Sequence, residues 1–141
     1  MAVDVFAHSF VVAATPGAVR AHLADPDSYV GLSPLVVAVR DVRRDGDVVR
    51  YVAVERFGLY RNAIRVALTV GEDRIVSEVA SPGRVRLRAE VDLAPHADAP
   101  GHTTVTETIT VESPAPLRRF VVRQARGVQQ ARARELARRF A

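Results

Sequence analysis

Glu107 stands in a run, Thr104 to Val111, in which threonine takes every second position and the positions between are Val105, Glu107, Ile109 and Val111. Successive side chains of a β-strand point to opposite faces, so this spacing places one carboxylate among apolar neighbours on a buried face. A carboxyl removed from water is suited to general acid or base work; an arginine partner would instead hold it ionised, and a bulge would turn it outward. His8 shares parity with Phe6, Phe10 and Val12. That row carries an imidazole inward, either as a group that binds or moves a proton near neutrality or as a packed core histidine. Gln124 falls on the apolar side of a long helical stretch, where its amide would meet a ligand oxygen or, on the alternative reading, solvent.

Around these polar candidates lies a set of aromatic and apolar ones. Tyr29, Tyr51, Phe57, Tyr60 and Asn62 cluster near strand ends and the third turn, as the mouth of a pocket would. Phe10, Leu32 and Val128 supply apolar contact. His96, Asp98 and His102 share one loop, but their spacing is not a recurrent zinc arrangement, and no metal site is expected. No cysteine is present, and no Gly-rich phosphate loop, Gly-x-Ser-x-Gly or His-Glu-x-x-His occurs. Thiol, nucleotide-dependent, serine-hydrolase and zincin chemistry are therefore not expected, nor is any cofactor.

These residues belong to a chain of 141 residues, 48% hydrophobic and 26% charged, a mixture that folds as one domain over 1–141 and excludes disorder or low-complexity repeats. The net charge of +4 comes from arginine alone, because no lysine occurs. An arginine surplus beside abundant Ala and Val reads as GC-rich coding on a solvated surface rather than as a nucleic-acid footprint. Eight arginines between Arg118 and Arg139 make the last helix basic, and its apolar stripe is already needed by a sheet. No apolar stretch reaches a membrane span and no basic leader precedes the first strand, so a cytoplasmic protein, monomeric or homodimeric, without stable membrane insertion is expected.

The elements that must position these side chains follow from pattern and punctuation. Residues 3–12 read as a first strand, and Thr15-Pro16 caps a short helix that Asp25-Pro26 ends; a second helical turn follows over 27–32. Strands are expected over 36–42, 48–57, 62–70, 74–80, 84–93 and 103–111, joined by Gly- and Asp-containing turns too short for parallel crossovers. Residues 117–140 form the long final helix, with Leu117, Val121, Gln124, Val128 and Ala131 on one face and Ala125, Ala133, Leu136 and Phe140 carrying the stripe round beyond Gly127. A bend or a change of packing partner is expected at Gly127.

Seven strands side by side span about 30 Å, whereas one helix is only about 10–12 Å across. The sheet must curl round the helix, and its inward residues are mostly Val, Ala, Leu and Ile, with aromatics at 6% and no tryptophan. An apolar pocket between sheet and helix is the physical expectation. This element order, with ATPGAVRAHLADPDSY near the start and SPAPLRRFVVRQARGVQQARARELARRF at the end, resembles the START/Bet v 1-like (SRPBCC) superfamily and, within it, bacterial polyketide cyclase/dehydrase-type proteins. The resemblance implies an α+β helix-grip fold: a seven-stranded curved antiparallel sheet wrapped around the C-terminal helix, with two short helices after strand 1. It further implies a small hydrophobic ligand, polyketide-, lipid- or sterol-like, bound between sheet and helix. In some members a cavity carboxylate or histidine would move protons during cyclisation.

Overall fold

Thr15 turns the chain from β1 (Ala2–Val12) into α1 (Pro16–Leu23): its Oγ1 accepts from the Ala18 amide at 3.3 Å, and Pro16 occupies a position whose missing N–H costs nothing. The computed structural model describes residues 1–141. After α1 the expected second helix is a shorter 3-10 turn, Pro26–Tyr29, capped by Asp25, and Leu32 lies beyond it in the core. Then come β2 (Val36–Asp45), β3 (Val48–Phe57), β4 (Tyr60–Val70), β5 (Arg74–Ser81), β6 (Val85–Pro95) and β7 (Thr103–Ser113). A 3-10 turn, Ala115–Leu117, leads into α2 (Arg118–Arg139). No helix is long and apolar enough to cross a membrane.

The seven strands form one antiparallel sheet in the order β1-β7-β6-β5-β4-β3-β2, a meander from β2 to β7 whose last strand pairs with β1 and leaves β1 and β2 at the two edges. β3 keeps its expected bounds and the other strands run one to three residues beyond one of theirs, although β6 begins a residue late; the β3–β4 link is tighter than expected, since Phe57 and Tyr60 are paired across Gly58-Leu59. Along β2 the register slips twice, between Val36 and Ala38 and between Arg40 and Arg43, where Asp41 takes a positive φ of 56°. Such bulges add twist and bend, which helps this edge of the sheet to curl.

One face of the curled sheet is buried. Ile64, Val66 and Leu68 on β4, Val105, Ile109 and Val111 on β7, and Val49, Tyr51 and Ala53 on β3 all point to it. α2 covers the β1 and β7 side of that face. Its first half packs Ala125, Val121 and Val122 against Phe6, Ile109 and Val111; its end packs Leu136 and Phe140 with Val12, Val19 and Leu23. The change of partner expected beyond Gly127 therefore occurs, and it occurs within a helix that runs unbroken through that residue.

Six of the eight arginines of α2 are exposed, as a solvated basic face requires, and three of the eight fasten the helix to the rest of the fold. Arg118 makes a forked contact with Asp4 of β1 at 2.8 to 3.1 Å. Arg132 pairs with Glu107 of β7. Arg139 donates to the carbonyls of Ser28 and Val30, at 2.5 and 3.0 Å, and so holds the segment after α1. Leu117, expected on the inward stripe, is instead 45% exposed, since the 3-10 turn swings it off the helical face.

Candidate ligand-binding cavity

Because α2 rests over β1 and β7, the remainder of the curled sheet is left uncovered, and a cavity of about 300 Å³ lies between β2–β6 and the inner flank of the helix. Apolar walls come from Ala53, Ile64, Val66, Val79, Val85, Leu87 and Ala89 on the strands and from Val121, Ala125 and Val128 on α2. Phe57, Pro82 and Phe120 line it and are exposed, so the cavity opens to solvent between the β3–β4 and β5–β6 turns and the start of α2 rather than being enclosed.

Six of the residues singled out from sequence line this cavity: Tyr29, Tyr51, Phe57, Asn62, Gln124 and Val128. Tyr51 and Phe57 owe their place to β3, whose inward row is Val49, Tyr51, Ala53, Glu55 and Phe57, and Asn62 lies directly opposite Glu55 on β4. Tyr29 stacks on Tyr51 with ring centroids 6.1 Å apart, and its hydroxyl donates to the Leu23 carbonyl at 2.7 Å. Burial pushes both phenols well above the ordinary tyrosine range, so both keep their protons at neutral pH.

The other five stand elsewhere. His8 and Phe10 point to the inner face, stacked at 5.9 Å, but on β1, which α2 covers; they belong to the helix seat and not to the cavity wall. Leu32 is fully buried among Val19 and Leu23. Tyr60, 66% exposed, projects at the tip of the β3–β4 turn. Glu107 faces inward as its parity requires and is 6% exposed, yet it lies under α2, off the cavity wall. Arg132 Nη2 donates to both its carboxylate oxygens at 2.7 Å, and Gln129 Nε2 donates to its backbone carbonyl at 3.1 Å. Of the alternatives for Glu107, the arginine partner is the one realised.

Two charged groups that line the cavity were not singled out from sequence. Arg132 lines it with a side chain 21% exposed, and Glu55 lines it with a carboxylate that has no ion pair or hydrogen bond to the protein. Burial opposes the charge on Arg132, but the Glu107 carboxylate outweighs it and holds the guanidinium firmly protonated. Burial without a partner raises the Glu55 pKa. Glu55 had a signal in the sequence, because it shares parity with Tyr51 and Phe57; Arg132 had only its helical spacing, four residues from Val128 and four from Leu136, which does not by itself set it apart from the other arginines.

No family model matches the sequence, and no curated protein is similar enough to match. Solved structures do. They include a protein of Thermus thermophilus, 17% identical with a TM-score of 0.80 over 97% of each chain. A START superfamily protein from Mycobacterium smegmatis is 15% identical, with a TM-score of 0.78 over 96% of each chain. The Zhui aromatase/cyclase from Streptomyces sp. R1128 is 15% identical, with a TM-score of 0.75 over 99% of this chain and 97% of that one. Likeness over nearly the whole length, together with the curled antiparallel meander and the long helix laid across it, identifies the fold of this chain as the START/Bet v 1-like helix grip.

Proposed function

We propose that the chain, acting as one domain over 1–141, binds a small hydrophobic molecule of polyketide, lipid or sterol type in the cavity between sheet and α2. The observation that carries this reading is the cavity itself: 17 of its 25 lining residues are hydrophobic, while the side chains of Glu55, Asn62, Ser77 and Gln124 have no protein partner. An apolar space with a few uncommitted polar groups is the usual form of a small-molecule site. Uptake of N-phenyl-1-naphthylamine, a neutral apolar dye that brightens out of water, tests it. Val128→Trp places an indole in the cavity and should abolish the signal in a folded protein. Undiminished uptake by the folded variant would remove the cavity as the site.

A second reading, a cyclase or dehydrase-type enzyme, is favoured by one feature. Glu55 is an unpaired carboxyl in the cavity whose raised pKa suits proton transfer. Glu107 is bound by Arg132 and His8 lies under the helix, so on this reading neither is the proton carrier. Loss of turnover in Glu55→Gln with dye uptake retained would support catalysis; unchanged turnover would exclude the carboxyl as its agent.

A further inference from the structure

Arg132 reaches the cavity with only part of its guanidinium in use. Both contacts to Glu107 come from Nη2, and the N–H groups on Nε and Nη1 have no protein partner. Solvent reaches these donors in the open cavity, and a ligand that displaces that water must supply an acceptor in its place. The charge, by contrast, is already balanced by Glu107 at 2.7 Å. A ligand carboxylate would bring a second anion close to that carboxylate where little water screens them, whereas a carbonyl oxygen would satisfy the donors without adding charge.

The opposite end of the cavity has the reverse chemistry. Glu55 offers acceptor oxygens, and Asn62, its cross-strand partner, adds an amide. Tyr51 marks the Arg132 end, because its ring stacks on Tyr29 and both feel the guanidinium charge. Four residues of β3 separate Tyr51 from Glu55, which at ~3.3 Å per residue is about 13 Å.

We infer that the cavity selects an elongated, uncharged molecule with a carbonyl acceptor, of ketone, ester or lactone type, at its Arg132 end and a hydroxyl donor at its Glu55 end. This rests on the reading that the cavity holds a ligand. An extended chain of roughly ten bonds spans the distance, after the two side chains have reached inward.

Displacement of N-phenyl-1-naphthylamine by a set of ten-carbon chains tests it: a hydroxyketone with its two groups at opposite ends, the ketone alone, the alcohol alone, the hydroxycarboxylate and the plain alkane. The hydroxyketone should displace the dye at a concentration at least about fivefold below either single-function chain, as one hydrogen bond of about 1 kcal/mol requires. The hydroxycarboxylate should be weaker than the hydroxyketone. Arg132→Lys, which keeps a cation opposite Glu107, should remove the advantage given by the ketone and leave that of the hydroxyl. Glu55→Leu should do the reverse. Equal displacement by all chains, or preference for the carboxylate, overturns the inference from the wild-type protein alone, whatever the variants do. A dye that never binds wild-type protein overturns the ligand-binding reading first and this one with it.

Discussion

Arg132 and Glu107 join α2 to β7 at a place where neither side chain is more than about a fifth exposed, at 21% and 8%. Removing one member of such a pair leaves the other as an uncompensated charge, whereas removing both leaves an apolar contact. Arg132→Met should therefore cost about 3 kcal/mol in urea unfolding, and the double variant Arg132→Met, Glu107→Met should recover most of that loss. A double variant as unstable as the single one would mean that packing of the long side chains, and not their charge, is what the fold loses. Glu55 behaves in the opposite sense. Its pKa is raised by burial, so its neutral form is the better tolerated one in the fold. Its contribution is fully present below the unfolded pKa of about 4.3 and is lost as pH rises through the higher folded value. Glu55→Gln should flatten that part of the stability profile and make the protein more stable at neutral pH. A variant less stable at pH 7 would reveal a partner for the carboxylate.

At the scale of elements, α2 combines strong grips with one weak residue. Gly127 is exposed, lies in mid-helix, and has open space where a Cβ would go. Its backbone freedom is lost on folding with nothing gained in packing. Gly127→Ala should raise stability by roughly 0.5 to 1 kcal/mol; a loss would point to a bend that the helix needs. This helix also marks where the sequence was legible and where it was not. Thr15-Pro16, the alternation along β7 and the short turns follow from local chemistry, and they led to the strand count, the meander and the inward face of Glu107. The cavity wall did not follow so directly. Which inward residues line a cavity depends on where α2 lies, and hydrophobic spacing does not say that it covers β1 and β7 and leaves β2 to β6 open. That is why His8 and Phe10 share the inner face yet stand under the helix, while Glu55 lines the space beyond it. Arg132 was hidden for another reason. An arginine among eight on a basic helix looks solvated unless its partner on a distant strand is known.

For the whole molecule, a cavity left open by too little helix for too much sheet is a cost that an occupant would offset. A ligand that binds the folded state alone stabilises it in proportion to the logarithm of its concentration over Kd, about 2.7 kcal/mol at a hundredfold excess. For a chain of 141 residues, where 1 kcal/mol moves the midpoint by roughly 3 °C, N-phenyl-1-naphthylamine at that excess should raise Tm by about 8 °C. Scanning calorimetry would read both this shift and its loss in Val128→Trp, where the indole occupies the same space. The two measurements separate binding inside the fold from binding to its surface. Dye adsorbed on the exposed side chains of Leu59 and Tyr60, which are 100% and 66% exposed, would also find apolar groups on the unfolded chain and would not raise Tm. Strong fluorescence without a rise in Tm would therefore assign the dye to the surface and leave the cavity without an occupant. A rise that survives Val128→Trp would place the stabilising site elsewhere on the molecule.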